Sequence, residues 1–463
     1  MISKDNSALA LIGLLIVLSG SVYFDYNWEL VWSALGVLFL AFGVYKRDWM
    51  AAIMYAVAII APVSIKYALP FADLYLPIEF LSAAIAIAVV FQFVLTNQFW
   101  LVKKFPFPIL WLLSFLPGLI YSEMPSVSIK FFALNSLFVL AFYYGFILLA
   151  QRKIGFPVIP FLIALLPVTA AGVVHFVEYD FNPITISGIF KPFFYSHTMY
   201  GAVLAFVTGI ALGNVRTNAW WGIIVFLGIA LTIFSGSRAA LWSLLFMFFL
   251  FSLIQLKPLY RVLLPLIGII MFLSLGGRAK LEDQFSYNNY ESHDPQATLV
   301  EKSMSVTNLQ TDVSNIERLN RWVAALSMFE ERPFTGFGPG TYQFTYIPFQ
   351  EKRLKNRLTV TNPDSPPPGS GGSAHSELLL QLSENGIWTP LLFLFLCIRW
   401  SYLGFFVADK HGMHLPLLLG LSTYFFHMQF NNFLNQSVFA FIFWGTAAYL
   451  DVQLSRNKDE LLQ

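Results

Sequence analysis

LLPLIGIIMFLSLGGRAKLEDQFSYNNYESHDP, residues 263–295, passes from an unbroken apolar run to a polar one at Gly276. That switch decides the fold. The polar stretch it opens runs to Gly386 and ends in SAHSELLLQLSENG, residues 373–386. It holds 23 of the chain's 54 charged residues in under a quarter of the length, so it belongs in water. On both sides the chain is a succession of apolar runs. The hydrophobic share is 57% and the charged share 12%, half the roughly 25% of a soluble domain. Mean hydropathy is +0.65. A soluble core of this size is excluded.

Runs of ~17–25 apolar residues can cross a ~30 Å hydrocarbon layer as helices. Run length places about fourteen here, near 8–23, 29–45, 50–68, 75–95, 106–121, 130–150, 156–174, 198–213, 219–235, 238–255, 260–276, 387–405, 413–428 and 434–450. MISKDN and the run after it resemble a signal peptide, but SGS before VYFDYNWEL is a weak cleavage site, so an uncleaved first span is expected. One set of short connections carries Lys46, Arg47, Lys103, Lys104, Arg152 and Lys153 among its cations, the opposite set only Lys66, Lys130, Lys191 and Arg238. Because cationic loops stay cytoplasmic, both termini are expected inside and the long loop outside. The expectation is an all-α integral membrane protein of twelve to fourteen transmembrane helices. Helices 1–11 fall in 1–276, a partly helical extracytoplasmic loop in 277–386, and helices 12–14 with a tail in 387–463. A net charge of +2 points to no nucleic-acid partner, and the single Cys397 permits no intrachain disulfide.

Within the loop, Ser314-Asn315-Ile316-Glu317 fits a capping box. Leu319, Trp322, Val323 and Leu326 follow at helical spacing, which predicts a helix over about 315–331 stopped by Pro333. Arg318 and Arg321 then sit one turn apart. FTGFGPGTY reads as a glycine-rich turn and SPPPGSGGS (365–373) as irregular chain. A second short helix is expected from about His375 to Gly386.

His375, in the first turn of that helix, would be kept neutral by the helix dipole, as a general base requires. The plain alternative is an exposed or capping histidine. Glu377 either orients the ring or faces water, the second being favoured. Arg238, in IFSGSRAALWS, lies in a very short outer connection, where arginine is expensive unless it binds or pairs. With Arg318 and Arg321 it offers planar forks for phosphate oxygens. Lys191 and His197 in GIFKPFFYSHTMYGA form another outer cluster, and His427, Gln429, Asn431 and Asn432 a third, whose amides can bond a sugar or hold helices together. No HExxH, paired CxxC or Walker-type loop occurs, so no metal site, cofactor or ATP-driven machine is indicated.

Three pieces in order, SGSRAALWS (235–243), ERLNRWVAALSMFEERPFTGFGPGTYQF (317–344) and AHSELLLQLSENGI (374–387), resemble the O-antigen ligase and polymerase superfamily of bacterial envelope enzymes. The resemblance implies a membrane glycosyltransferase of the GT-C type in the bacterial inner membrane. Its donor would be a glycan on undecaprenyl diphosphate, and its acceptor the lipid A-core sugar for a ligase, a growing repeat for a polymerase, or a protein side chain. It implies that His375 activates the acceptor hydroxyl while Arg238 and Arg318 hold the diphosphate. Arg321 has no firm family counterpart, and Ser376 stands where the family commonly has Asn. Arg321, Lys191, His197, Glu377 and Asn432 are then candidate substrate-binding residues. A flippase would place polar groups at the bilayer midplane. Here they collect at the outer surface and in the loop, which favours an enzyme. A structural assembly protein would tolerate any change at His375 and Arg238.

Overall fold

The computed structural model describes residues 49–461 apart from 70–71, 181–182, 293, 295–297, 299–300, 302–303, 357, 360–370 and 408–413. The expected spans 8–23 and 29–45 and most of the Pro/Gly tract at 365–373 lie outside the described residues. In chain order come α1 (Trp49–Ile60), an antiparallel ribbon of β1 (Ile65–Leu69) and β2 (Ala72–Leu76), and α2 (Ile78–Leu95). Then follow α3 (Phe107–Leu113), α4 (Leu116–Ile120), α5 (Pro125–Gln151), α6 (Val158–Glu178), α7 (His197–Asn214) and α8 (Trp221–Phe234). They continue with α9 (Arg238–Ile254), α10 (Pro258–Ser274), α11 (Gly277–Tyr287) and α12 (Val313–Glu331). The series ends with α13 (Glu377–Asn385), α14 (Trp388–Tyr402), α15 (His414–His427) and α16 (Ser437–Leu461).

Five of these helices are long and apolar enough to cross a membrane: α2, α5, α6, α14 extended to Phe406, and the first five turns of α16. The count rises to six if α10 and α11 form one broken span. Those two meet at 71°, and Gly276 between them has φ +77°, a left-handed conformation that a side chain resists. The membrane-helical class expected from composition is therefore present, while fourteen crossings are more than the described helices supply by length. The run expected as a span at 50–68 is helical only to Val63 and then turns into β1, because IKYAL pairs with ADLYL as a hairpin.

The chain divides into two compact units. The described residues of the first fall in 49–101, 137–203 and 436–452. Its core is aromatic: Phe142, Phe146, Phe156 and Phe161 pack around Phe441 with ring centroids 5.3–6.3 Å apart. Tyr143 donates a 2.7 Å hydrogen bond to Asp451 there, which gives that intramembrane carboxylate a partner.

The second unit, residues 102–136, 204–435 and 453–463, contains the whole described loop. Small residues let its helices touch. A Cβ on Gly209 of α7 would stand 2.6 Å from the Leu419 carbonyl of α15, and one on Gly213 would stand 2.4 Å from Pro416. The side chains Ala240, Leu244, Met247 and Ile254 of α9 pack on Leu415, Leu418 and Leu419 of α15. The N-terminus of α9 and the C-terminus of α15 are thereby fixed side by side. The loop has a core of its own, in which Ala324, Ala325 and Met328 of α12 meet Phe337, Tyr342, Tyr346, Ala374 and Leu380.

Candidate functional site

Three chain segments build the site, and each is held by a local device. α9 starts at Arg238 because Gly236 turns the chain with φ +66° and Ser237 caps the helix, its hydroxyl accepting from the Ala240 amide at 3.3 Å. α12 starts at Val313, two residues before the expected start. Asp312, not Ser314, is its cap, and its Oδ1 accepts from the Asn315 amide at 2.9 Å. The other oxygen of Asp312 accepts from the Ser292 amide at 2.7 Å. Asn288, Asn308 and Asn315 tie the segment before α12 to itself through backbone carbonyls of Met304, Tyr290 and Ser305.

Arg238 reaches this knot. Its Nη1 donates to Ser305 Oγ at 2.5 Å and lies 3.7 Å from Asp312 Oδ2. Arg318, one and a half turns into α12, is close enough to Arg238 and Asp312 for both charges to act on it. Its Nε is buried and has no hydrogen-bond partner among the described residues. Burial first, then the charge of Arg238, lowers its pKa from the usual 12.5 to about 10, with Asp312 opposing. A cation held at this cost is poised for an anion.

Arg321 is spent differently. Its Nε donates to Glu317 Oε1 at 2.7 Å, its Nη1 to the Gly371 carbonyl at 3.3 Å, and its guanidinium lies 4.1 Å over the Tyr346 ring. Glu317, the residue read as closing a capping box, instead binds Arg321 and accepts from Thr359 at 2.8 Å. Arg321 therefore anchors the loop's own core; its partner Glu317 stands at i−4 in the sequence, while Gly371 and Tyr346 are remote in the chain.

His375 is not in the first turn of its helix. Ser376 caps α13, accepting from the Leu379 amide, and His375 precedes it with φ +51°, a left-handed backbone uncommon outside glycine. Trp322 of α12 donates to its carbonyl at 3.3 Å. The half-buried imidazole is pushed down to about 3, first by desolvation and then by Arg318 and Arg321, with a hydrogen bond to Asn431 opposing. Burial and the arginines, rather than the helix dipole, are what favour the neutral ring.

Glu377 does not face water. Its Oε2 accepts from Tyr424 at 2.8 Å and from the Leu434 amide at 3.4 Å, while Gln381 donates to Oε1 at 3.2 Å. Its own amide donates to the Met428 carbonyl at 2.8 Å. Burial pushes this carboxyl up, and these donors pull it back. Glu377 thus clamps the start of α13 to the end of α15 and sets His375 beside Asn431. Asn432 is half-buried next to it in the chain.

Arg238, Arg318 and His375 accordingly gather in one unit, with Arg318 within electrostatic reach of both others. Lys191 and His197 belong to the other unit, where Lys191 is exposed with its Nζ 5.8 Å from the Tyr195 ring centroid and His197 opens α7. His427, singled out in the sequence only as part of a polar cluster, closes α15 with its Nε2 3.0 Å from Asn431 Nδ2.

No curated protein matches the chain in a sequence search. Residues 223–394, the stretch that carries α9, α12 and α13 with Arg238, Arg318 and His375, match the family model described as O-antigen ligase. That match covers under half of the chain and supports the O-antigen ligase superfamily for this stretch.

Proposed function

We propose that this membrane protein transfers a glycan from undecaprenyl diphosphate to an acceptor sugar on the outer side of the membrane, in the manner of a ligase acting on lipid A-core. The observation that carries the proposal is the buried, unpartnered Nε of Arg318 beside Arg238 and a neutral His375. The acceptor hydroxyl gives its proton to His375 while its oxygen bonds to the anomeric carbon. The bond from that carbon to the diphosphate breaks with its electron pair, and configuration inverts. Arg318 and Arg238 neutralise the charge that develops on the departing undecaprenyl diphosphate. A bound diphosphate also offsets the charge of Arg318, which adds to burial in making His375 a weak base, so the donor itself raises the basicity of the ring.

The test is transfer by purified protein in detergent, with chelator present, from undecaprenyl-diphosphate-linked glycan. The wild type should release undecaprenyl diphosphate, and His375→Ala, Arg238→Ala and Arg318→Ala should fold but lose transfer. A single glycan per acceptor identifies a ligase and a ladder of products a polymerase. If the three variants keep full activity the site assignment falls. If the wild type instead moves lipid-linked glycan across liposomes without transfer, the protein is a flippase.

A further inference from the structure

One amide touches both imidazoles of the site. Asn431 Nδ2 lies 3.0 Å from His427 Nε2, and the same side chain hydrogen-bonds His375. With the amide nitrogen on the His427 side it donates, which assigns Nε2 of His427 as acceptor and the ring proton to Nδ1. That Nδ1 is buried beside the backbone of Ala239, next to Arg238, and has no hydrogen bond of sound geometry to any described residue. Arg318 acts on His427 as it does on His375. The carbonyl oxygen of Asn431 is left for His375, where it takes a ring N–H and leaves the other ring nitrogen with its lone pair free.

We infer that His427 is a further binding residue of this site, giving its Nδ1–H to a phosphate oxygen of the leaving diphosphate, and that Asn431 is the positioning residue that sets the two histidines in opposite roles. His375 presents a lone pair and takes a proton; His427 presents a proton and gives a hydrogen bond. The inference rests on the transferase reading. Its structural reasoning is separate: a buried Nδ1 beside Arg318, near the backbone of Ala239 but outside hydrogen-bond geometry with it, is a donor that an anion can take. The neutral donor complements the arginines because it adds a hydrogen bond, its direction fixed by Asn431, without adding a further positive charge to the site.

The experiment compares His427→Phe, His427→Asn and Asn431→Asp with wild type, using the full chain in detergent and confirming the fold of each by its melting temperature. His427→Phe removes the donor and should lower kcat and kcat/KM together by about 10- to 100-fold, the worth of a hydrogen bond to a charged group made in the transition state. His427→Asn restores an N–H near the Nδ1 position and should recover most of that loss, which a role in packing alone would not. In 15N spectra of histidine-labelled protein, His427 should hold its proton on Nδ1, and Asn431→Asp should shift it to Nε2 because a carboxylate accepts only. Wild-type kinetics in His427→Phe, no recovery in His427→Asn, or an Nε2–H tautomer in the wild type would each overturn the inference. A wild type without transfer would sink the transferase reading instead, leaving the tautomer to be decided by the spectra.

Discussion

Replacing Arg318 by methionine should stabilise the protein while disabling it. The guanidinium Nε is buried without a partner among the described residues, and burial together with Arg238 lowers the group from 12.5 to about 10. At 1.36 kcal/mol per pKa unit, holding that charge costs about 3 kcal/mol. Arg318 is only half-buried by area, so screening reduces the figure, and an apolar side chain of similar length should return about 1–2 kcal/mol. The loss falls on the ligand. A charge-assisted hydrogen bond of about 1.5–3 kcal/mol disappears, which predicts a fall in transfer of at least about tenfold. Thermal unfolding in detergent, with and without inorganic pyrophosphate, separates the two effects. Pyrophosphate should raise the melting temperature of the wild type, whereas Arg318→Met should melt higher without it and respond little to it. A variant that melts below the wild type, or one stabilised by pyrophosphate to the same extent, would refute the reading of Arg318 as a charge held open for an anion.

The pH profile follows from His375. Its ring stays neutral from its depressed value of about 3 upward, so kcat/KM should show no acid limb near 6.5. Once the diphosphate offsets Arg318 the ring becomes easier to protonate, so the acid limb of kcat should lie at higher pH than that of kcat/KM. Coincident limbs at 6.5 in both profiles would contradict the site. Glu384 gives a stability prediction of opposite sign. It accepts from the Tyr342 amide at 3.0 Å, and burial pushes its carboxyl up from 4.5 to about 8. The folded state therefore holds a proton that the unfolded chain gives up, and stability should be full below about pH 4.5 and fall progressively as pH rises through 8. Glu384→Gln keeps an acceptor for Tyr342 and should remove that fall, as read from denaturation at pH 5 and pH 8.5.

What the sequence revealed and what it hid divide along range of contact. Apolar run length located nearly every described helix, and helical spacing put α12 within two residues of its true start, because both signals are local. The cap was misplaced since Asp312 and Ser314 are both capable acceptors, and only the chain's path past Ser292 and Arg238 selects Asp312. Glu377 looked like a solvated acid because the groups that make its burial tolerable, Tyr424 and the Leu434 amide, are 47 and 57 residues away. The pairing of β1 with β2 was hidden by an apolar composition that suits a span as well as a hairpin.

The different fates of Arg318 and Arg321, three residues apart on one helix, come down to what precedes each by four. Glu317 stands one turn before Arg321 and neutralises it at 2.7 Å, whereas Ser314 stands one turn before Arg318 and offers no charge. The division of labour is therefore portable by one substitution. Ser314→Glu places a carboxylate at the same spacing, near the positive end of α12, where a first-turn acid is itself favourable by about 0.3–1 kcal/mol. It should raise the melting temperature modestly, abolish the response to pyrophosphate, and lower transfer while leaving Arg318 in place. Such a result would show that an Arg318 without a carboxylate partner, and not merely the presence of an arginine, is what the site requires. Undiminished transfer in a Ser314→Glu protein that is more stable than the wild type would mean that the new carboxylate pairs with Arg318 without competing with the substrate, and the anion would then have to bind elsewhere.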